Sequence, residues 1–568
     1  MEERSGAPNQ TLVECVVLVT ADRWTLPNAT TQNAPHASRI QNLRAAPKPT
    51  LLRPLHATPP LNAVASFCFP DGVRLAAKPS PPSYASFVLT DDAYARLYGH
   101  ALTLHDTPLE PSTPLEQPPP EDVAATTAGP ADAGAAHAQQ PATIGELNAS
   151  AAVYAPSCLC ILSRDHLPLT FRTVLLALHR LACTSRQAPI VGALETSLMH
   201  LVDHVPRPIA GGPAIRFSLH PALPPLHASR PLPHELPRAQ YSAALLLRHL
   251  PPEALASVVG LLSLEWSLVV VASEAECRLA AGELLLGWLH PLDWVQAYAP
   301  LVPDGPILDL LRAPFPLLAG LSPLQLTKMG GASSLRAQGR MAVLLLDEHT
   351  LLGPTMEPPA LPLRDAVPLL STLTRLAHRQ HELDSRVASS WPSGRGGGSA
   401  RQSARVALRS SSTRDSIMGH THVGGGEHGG EARWAEGGEA EAQAGARCTQ
   451  LELDEAVRHA FLRYFAALLR DVPRAERGTV VAASCAEEGE AAADAAHEAW
   501  RSELVELQPH AARPYARELI STQAFLQLDI SSVGSRPFER ALDEFLAEEI
   551  TSKASRDTQY AHSDLRLA

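Results

Sequence analysis

The sequence predicts an α/β protein of two lobes, in which buried strands alternate with amphipathic helices. Thr11–Ala21 is a β-branched run of strand length, and Leu268–Ser273 is a continuous apolar run typical of a strand covered on both faces. In Leu169–Leu181, by contrast, apolar residues recur at helical spacing. The chain has 568 residues, too many for one compact core, and its 45% hydrophobic content is enough to fill more than one.

The first lobe is predicted to begin with the strand Thr11–Ala21 and to continue into a β-hairpin. Residues 22–60 are rich in Pro, Asn and Thr, which favours an irregular connection. We then expect a short strand at Phe67–Phe69, a turn at Pro70-Asp71-Gly72 and a second strand that ends near His105. Pro presets φ in such a turn, and Gly tolerates a left-handed backbone.

Beyond the hairpin, residues 106–150 hold a dense mixture of Pro, Ala and Gly with few large apolar side chains. This composition indicates a flexible insert. Regular structure resumes with a predicted strand at Cys158–Ser163, which the helix Leu169–Leu181 follows. The first lobe is therefore assigned residues 11–205.

The second lobe is predicted to join a central α/β module, residues 206–350, to a helical part, residues 351–550. Pro251-Pro252 separates two helices of the central module, because proline can end one helix and begin the next. The predicted elements of this module are, in order, the helices Tyr241–Leu250 and Ala254–Leu264, the strand Leu268–Ser273, the helix Ala275–Leu289 and the strand Met341–Leu346.

Two inserts interrupt the helical part. Residues 384–447, rich in Ser, Arg and Gly, cannot bury enough apolar surface to offset their chain entropy, so they are predicted to be disordered. Residues 472–512, rich in Ala and Glu, predict a loose and partly helical insert, and residues 551–568 a tail. The apolar faces of two further helices are formed by Val457, Phe461, Tyr464, Phe465, Leu468 and Leu469, and by Phe538, Leu542, Phe545, Leu546 and Ile550.

The charge of the chain bears on its partners. A net charge of −12 and a pI near 6.1 argue against nucleic acid as the main partner. The Arg- and Gly-rich stretch 395–447 keeps RNA binding open as an alternative, although Glu residues interrupt it.

Targeting features favour a cytoplasmic protein. Of the eight cysteines only Cys158 and Cys160 are close together, and scattered cysteines fit a reducing compartment. The apolar run Cys15–Ala21 is too short for a signal peptide. The most apolar long stretch, Leu255–Ala272, contains Glu265 and divides into a helix and a strand, so a buried core is expected there rather than a membrane span.

Several enzyme motifs were compared with the sequence. His200 and His204 have the i, i+4 spacing of a zinc-binding helix, but Leu201 stands where a metalloprotease needs Glu. The sequence has neither the G-x-S-x-G of a hydrolase nor the G-x-x-x-x-G-K of a nucleotide-binding loop. The adjacent carboxylates Asp91-Asp92 point apart on a strand or helix, so we expect solvated surface rather than an acid/base pair. No catalytic residue, metal site or cofactor is predicted.

Two motif sets resemble the DENN domain family, a group of tripartite modules with upstream, central and downstream parts. Phe67-Cys68-Phe69-Pro70-Asp71-Gly72 and the later Arg96-Leu97-Tyr98-Gly99-His100 are similar to its upstream part. Independently, residues 245–273 are similar to the helix–helix–strand of the central part, with Glu265 before the apolar strand. In residues 283–303, the residues that match the central motif are Pro291, Trp294, Tyr298 and Pro303.

The resemblance implies a longin-like first lobe and an exchange factor for a Rab-type GTPase, in its GDP-bound or nucleotide-free form. It also implies a cytoplasmic protein in membrane trafficking, recruited to membranes, if at all, through other proteins. Candidate interface residues are Glu265, Trp266 and Arg164. The alternatives are a non-catalytic GTPase-binding scaffold and a GTPase-activating protein, in which Arg164 would stabilise charge in the transition state of hydrolysis.

Overall fold

The protein was analysed as a computed structural model. The structure describes residues 11–25, 44–54, 61–76, 78–90, 96–109, 115–116, 153–185, 191–230, 241–305, 307–389, 433–472, 490–528, 538–545 and 547. By its contacts the chain divides into unit 1, residues 1–230 with 301–310, and unit 2, residues 231–300 with 311–568. The mixed α/β class predicted from the sequence is confirmed.

Unit 1 is built on one six-stranded sheet with the strand order β2-β1-β6-β4-β3, in which neighbours are antiparallel; β5 pairs in parallel with β1. Its strands are β1 Cys15–Thr25, β2 Arg44–Pro54, β3 Ser80–Thr90, β4 Arg96–Pro108, β5 Leu115–Glu116 and β6 Tyr154–Ser163. A separate two-stranded ribbon pairs β7 Ile215–Phe217 with β8 Leu226–Ala228.

Helices cover both faces of this sheet. The helix α1, Leu61–Cys68, packs on a core formed by Cys15, Cys158, Cys160 and their neighbours. The opposite face contacts α2, Pro168–Ser185, and α3, Val191–Asp203. The core therefore lies in two layers, one on each side of the sheet.

The predicted strand at Phe67–Phe69 is wrong. Phe67 and Cys68 end helix α1, whose buried residues Val64, Ala65 and Cys68 recur at helical spacing. The hairpin of this region pairs β3 with β4 instead, with Phe87 opposite Gly99. Three apolar residues before a turn are equally compatible with the end of a strand and with the end of a helix, so the motif alone could not distinguish the two.

The prediction of an irregular connection at residues 22–60 is also corrected, because β2 crosses it. Pro47, Pro49 and Pro54 lack the backbone N–H that a central strand needs. They are tolerated because β2 is the outermost strand in the sheet order. The predicted insert 106–150 starts too early, since β4 reaches Pro108 and β5 lies at Leu115–Glu116; residues 117–150 lie outside the described residues.

Unit 2 is centred on a five-stranded sheet of order β10-β11-β9-β12-β13, parallel except for β13. Its strands are β9 Ser267–Val271, β10 Ala297–Ala299, β11 Leu317–Leu321, β12 Met341–Leu345 and β13 Thr350–Leu352. Every residue of β11 and β12 is buried, as expected for parallel strands covered on both faces. The predicted strands at Leu268–Ser273 and Met341–Leu346 are confirmed.

Helices surround and extend this sheet. The long helix α10, Leu363–Ser389, pairs antiparallel with α11, Arg433–Leu468. Arg470, two residues after α11, contacts Asp365 near the start of α10, whereas Glu452 of α11 contacts Arg379 in the second half of α10. The α-helices that follow α3 in the chain are α4 Ala244–His249, α5 Pro252–Ser263, α6 Ala275–Gly287, α7 Ile307–Arg312, α8 Pro323–Lys328, α9 Gly331–Arg336, α10 Leu363–Ser389, α11 Arg433–Leu468, α12 Glu490–Leu507, α13 Arg513–Leu519 and α14 Gln523–Leu526; a further helical stretch covers 538–545.

The predicted insert 384–447 extends too far at both ends, whereas the insert 472–512 is partly helical, as expected, but also contributes buried residues. The segment predicted as disordered, 384–447, begins inside α10 and ends inside α11, and Asp384 is bonded to Arg248 at 2.8 Å. The segment 472–512 contains α12, on which Leu504 and Val505 are buried. Residues 390–432, 473–489 and 548–568 lie outside the described residues, so these parts of the two inserts and the tail stay predictions.

Candidate partner-binding site

The first motif region forms a compact structural turn in unit 1. Phe67 stacks on Phe87 with ring centroids 5.0 Å apart, and Phe69 is buried. Gly72 has a φ of 77° and donates its N–H to the Phe69 carbonyl at 3.0 Å. Only glycine adopts this backbone without strain. The Pro70 carbonyl accepts a hydrogen bond from the Asp304 N–H at 3.3 Å, which ties the turn to the segment after Pro303.

The second motif positions an aromatic stack. Gly99 lies beneath the Phe87 ring: a Cβ at this position would be 2.2 Å from a ring carbon. On either side of Gly99, Tyr98 stacks on His166 at 4.9 Å and His100 on Phe171 at 4.4 Å. The residues Leu97, Tyr98 and Gly99 therefore fix the packing of β4 rather than present a free surface.

His100 is the most deeply buried ionisable group of this stack. Its Nδ1 shares a hydrogen bond of 2.8 Å with the Tyr84 hydroxyl. Burial, and then the neighbouring His166 imidazole, hold the pKa of His100 well below its ordinary value of 6.5. The ring is consequently neutral at physiological pH and serves as part of the core.

Arg164 follows the last residue of β6 and is 36% exposed at its side chain. Its guanidinium lies 3.7 Å from the Glu14 carboxylate. The next residue, Asp165, is buried and accepts two hydrogen bonds of 2.7 Å from Arg207. Ser163 donates to the Leu12 carbonyl at 2.7 Å. Arg164 is thus the exposed member of a rigid strand end.

Glu265 and Trp266 lie together at the junction of α5 and β9 in unit 2. Trp266 is 1% exposed, and its Nε1 donates to the Glu518 carboxylate at 2.6 Å. The Glu265 carboxylate accepts hydrogen bonds from the backbone N–H groups of Gln523 and Ala524 at 3.0 and 2.8 Å. Both candidate interface residues are therefore engaged inside unit 2, and their contact with a partner stays a prediction.

Arg340 is the exposed cation at this junction. Its guanidinium lies 5.1 Å from the centroid of the Trp266 ring and 3.3 Å from Glu518. At 59% exposure the side chain keeps part of its guanidinium toward solvent. The sequence analysis missed Arg340 and Glu518, because the 252-residue separation between Trp266 and Glu518 leaves no local pattern to find.

The remaining motif residues of the central module hold its packing. Trp294 is 7% exposed and donates its Nε1–H to the Ala297 carbonyl at 3.2 Å. Tyr298 donates its hydroxyl to Glu283 at 2.8 Å, next to Gly282, where a Cβ would come within 2.8 Å of the Tyr298 oxygen. Pro291 follows a buried histidine, His290.

The described residues contain neither a metal-binding cluster nor a membrane-spanning helix. His200 and His204 lie on and just after α3, with ring centroids 5.9 Å apart. No cluster of three or more His, Cys, Asp and Glu side chains in the described ranges is arranged to hold a metal ion. None of the described helices is long and apolar enough to cross a membrane.

Two protein-family models match the chain. Residues 49–104 match the uDENN domain, and residues 154–331 match the DENN (AEX-3) domain. The first match contains the Phe67–Gly72 and Leu97–Gly99 motifs, and the second contains Arg164, Glu265 and Trp266. The first match lies in unit 1, and the second runs from β6 of unit 1 to Gly331 in unit 2, so the chain carries both domains and the predicted resemblance to the DENN domain family is confirmed.

Proposed function

We propose that this protein is a guanine nucleotide exchange factor for a Rab-type small GTPase. The observation that carries the proposal is the presence of both family modules, uDENN and DENN, in one chain. Domains of this family generally bind Rab GTPases and promote their nucleotide exchange. The proposed substrate is the GDP-bound GTPase, and the proposed intermediate is its nucleotide-free complex with this protein.

The energetics of exchange set what the protein has to supply. A GTPase that binds GDP with nanomolar affinity holds it by about 12 kcal/mol. The exchange factor must offset this with an interface of similar worth, which needs roughly 1,600 Å² of buried surface or more. No covalent bond in the GTPase is made or broken, so the protein needs rigid, well-placed side chains rather than a nucleophile.

Arg164 is our candidate for direct contact with the GTPase. The proposal is supported by its partial exposure and by the rigid strand end that carries it, where Ser163 and Asp165 are both buried and hydrogen-bonded. An arginine placed in this way can form a bidentate pair with a carboxylate of a partner. A carboxylate of the partner would compete with the Glu14 carboxylate for this guanidinium.

The test is release of a fluorescent GDP analogue from a panel of Rab-type GTPases. We expect the full chain to accelerate release from at least one of them. Arg164→Ala should reduce this acceleration, whereas Arg180→Ala, which changes another exposed arginine of unit 1 on α2, should not. If no GTPase of the panel responds but one binds, the protein is a scaffold and the proposal is wrong.

The same variants separate exchange from activation of hydrolysis. A GTPase-activating protein would accelerate GTP hydrolysis and lose that effect in Arg164→Ala. Accelerated hydrolysis with unchanged GDP release would overturn the exchange proposal in favour of this second class.

A further inference from the structure

Glu265 stands at a backbone position that normally belongs to glycine. Helix α5 ends at Ser263, and the two N–H groups that follow its cap fold back: Glu265 donates to the Leu262 carbonyl at 2.9 Å and Trp266 to the Leu261 carbonyl at 3.0 Å. This pair of bonds is the Schellman motif, in which the residue after the cap is left-handed. Glu265 has a φ of 54°, which costs a non-glycine residue about 1 kcal/mol.

The Glu265 side chain compensates for this cost by binding a distant segment. Its two carboxylate oxygens accept the N–H groups of Gln523 and Ala524, the first two residues of α14. The Thr522 hydroxyl accepts the next N–H, that of Phe525, at 3.2 Å. The N–H groups at the start of α14 are therefore bound by its own N-cap residue, Thr522, and by Glu265, which lies 258 positions away in the chain.

Further contacts join the same two segments. Trp266 donates to Glu518, and Ser263 shares a hydrogen bond of 2.6 Å with the Tyr515 hydroxyl. Gln296, just before β10, donates to Glu265 at 3.1 Å. Three residues of the α5–β9 junction therefore bind α13 or the start of α14: Ser263, Glu265 and Trp266. We call these contacts the Glu265 latch.

The geometry points to Glu265 as a positioning residue that fixes α13 and α14 on the central module. We infer that Glu265 influences nucleotide exchange through these helices, which lie outside both matched regions, rather than by touching the GTPase. The effect on exchange rests on the proposed function, whereas the latch itself does not. Glycine at position 265 would end α5 with less backbone strain, but it has no carboxylate to bind the N–H groups of α14.

The test compares Glu265→Gly, which keeps the left-handed helix end and removes the carboxylate, with Glu253→Gln, an exposed glutamate in the first turn of the same helix. Thr522→Ala removes the other cap of α14 and serves as a second route to the same defect. Hydrogen exchange is measured by mass spectrometry in the full chain. In Glu265→Gly we expect exchange of the 513–528 amides to rise about tenfold or more while that of 252–264 stays as it was. Unchanged protection of 513–528 would overturn the latch.

Nucleotide-exchange kinetics then test the functional part. A misplaced docking surface weakens affinity, so Glu265→Gly and Thr522→Ala should raise the half-saturating concentration about tenfold, equivalent to about 1.4 kcal/mol. A general loss of folded protein would instead lower the maximal rate. Loss of 513–528 protection with normal exchange kinetics would refute the role in exchange and leave the latch intact. If the unmodified protein accelerates no GTPase, the proposed function fails and hydrogen exchange alone decides the latch.

Discussion

Gly99 is a position at which side-chain packing excludes a Cβ. A methyl group at Gly99 would sit 2.2 Å from the Phe87 ring, far inside van der Waals contact, and the ring has little room to move because it is fully buried and stacked on Phe67. We expect Gly99→Ala to lower the free energy of unfolding by about 1–3 kcal/mol. Urea-induced unfolding followed by circular dichroism measures this.

The matched control for Gly99 is Gly287→Ala at the last residue of α6. A Cβ at Gly287 would meet nothing within 4 Å, and Gly287 does not have a positive φ. Alanine there should be neutral or stabilising by up to about 1 kcal/mol. Equal effects of the two substitutions would show that the Phe87 contact does not restrict Gly99.

Asp454 is predicted to make unit 2 less stable as the pH rises. Burial, the largest influence, raises the pKa of Asp454 from 3.8 to about 6, although Gln450, Ser242 and the Ala243 N–H donate hydrogen bonds to it. The folded state therefore binds this proton more tightly than the unfolded state. The resulting stabilisation is complete below pH 3.8 and is lost as the pH rises through about 6.

Removing this ionisation gives the test. Asp454→Asn keeps an oxygen that can accept the Ala243 N–H, so its stability relative to the unmodified protein should increase between pH 4 and pH 7, by on the order of 3 kcal/mol. Urea unfolding across this pH range measures the difference. Asp309→Asn, at an exposed position of α7, should show no such trend. A parallel pH dependence of all three proteins would contradict the prediction.

Among the elements, the end of β6 is tied to the segment after α3 by a buried ion pair. Asp165 is 6% exposed and accepts two bonds of 2.7 Å from Arg207, whereas Arg230 approaches it at 3.5 Å and is 40% exposed. Because a buried carboxylate without its partner is costly, Arg207→Ala should lower the free energy of unfolding by about 3 kcal/mol.

Arg230→Ala provides the comparison at the same carboxylate. Its longer, more exposed contact should be worth less than about 1 kcal/mol. Thermal and urea unfolding measure the loss of stability in each variant. If Arg230→Ala proves as damaging as Arg207→Ala, exposure does not govern the strength of these pairs.

In the whole molecule, residues 390–432 are predicted to contribute little to folding or exchange. Their composition is poor in large apolar side chains. The antiparallel pairing of α10 and α11 places the second half of α10 beside the middle of α11, as the bond between Gln380 and Gln450 shows, so the end of α10 and the start of α11 lie on the same side of this contact. A Gly-Ser linker of about 20 residues, with a root-mean-square span of roughly 25 Å, should therefore replace the segment without loss of stability.

In the control variant the replaced segment is extended into α10. A variant that also removes residues 384–389 loses the pairing of Asp384 with Arg248 and should be less stable than the 390–432 replacement. Melting temperatures and GDP-release rates of the two variants are compared. A large loss of stability on replacing 390–432 alone would show that this segment packs on the folded protein.

The α/β class of the protein and much of its central module could be predicted from sequence alone. The fully apolar runs of β9 and β12 indicate covered parallel strands because nothing polar interrupts them, and the Pro251-Pro252 pair separates α4 from α5. The family motifs could also be recognised in the sequence. In them Gly72 is required by a positive φ, and Gly99 by the close approach of the Phe87 ring. These features depend on residues close together in the chain.

Contacts between residues far apart in the chain could not be predicted in this way. The strand at Arg44–Pro54 was hidden because its prolines are acceptable only at a sheet edge, and an edge is a property of the whole sheet. The role of Glu265 was hidden for a similar reason: its partners, Gln523 and Ala524, lie 258 and 259 residues away. Local periodicity carries no information about such contacts, whereas folding brings both segments to the same junction.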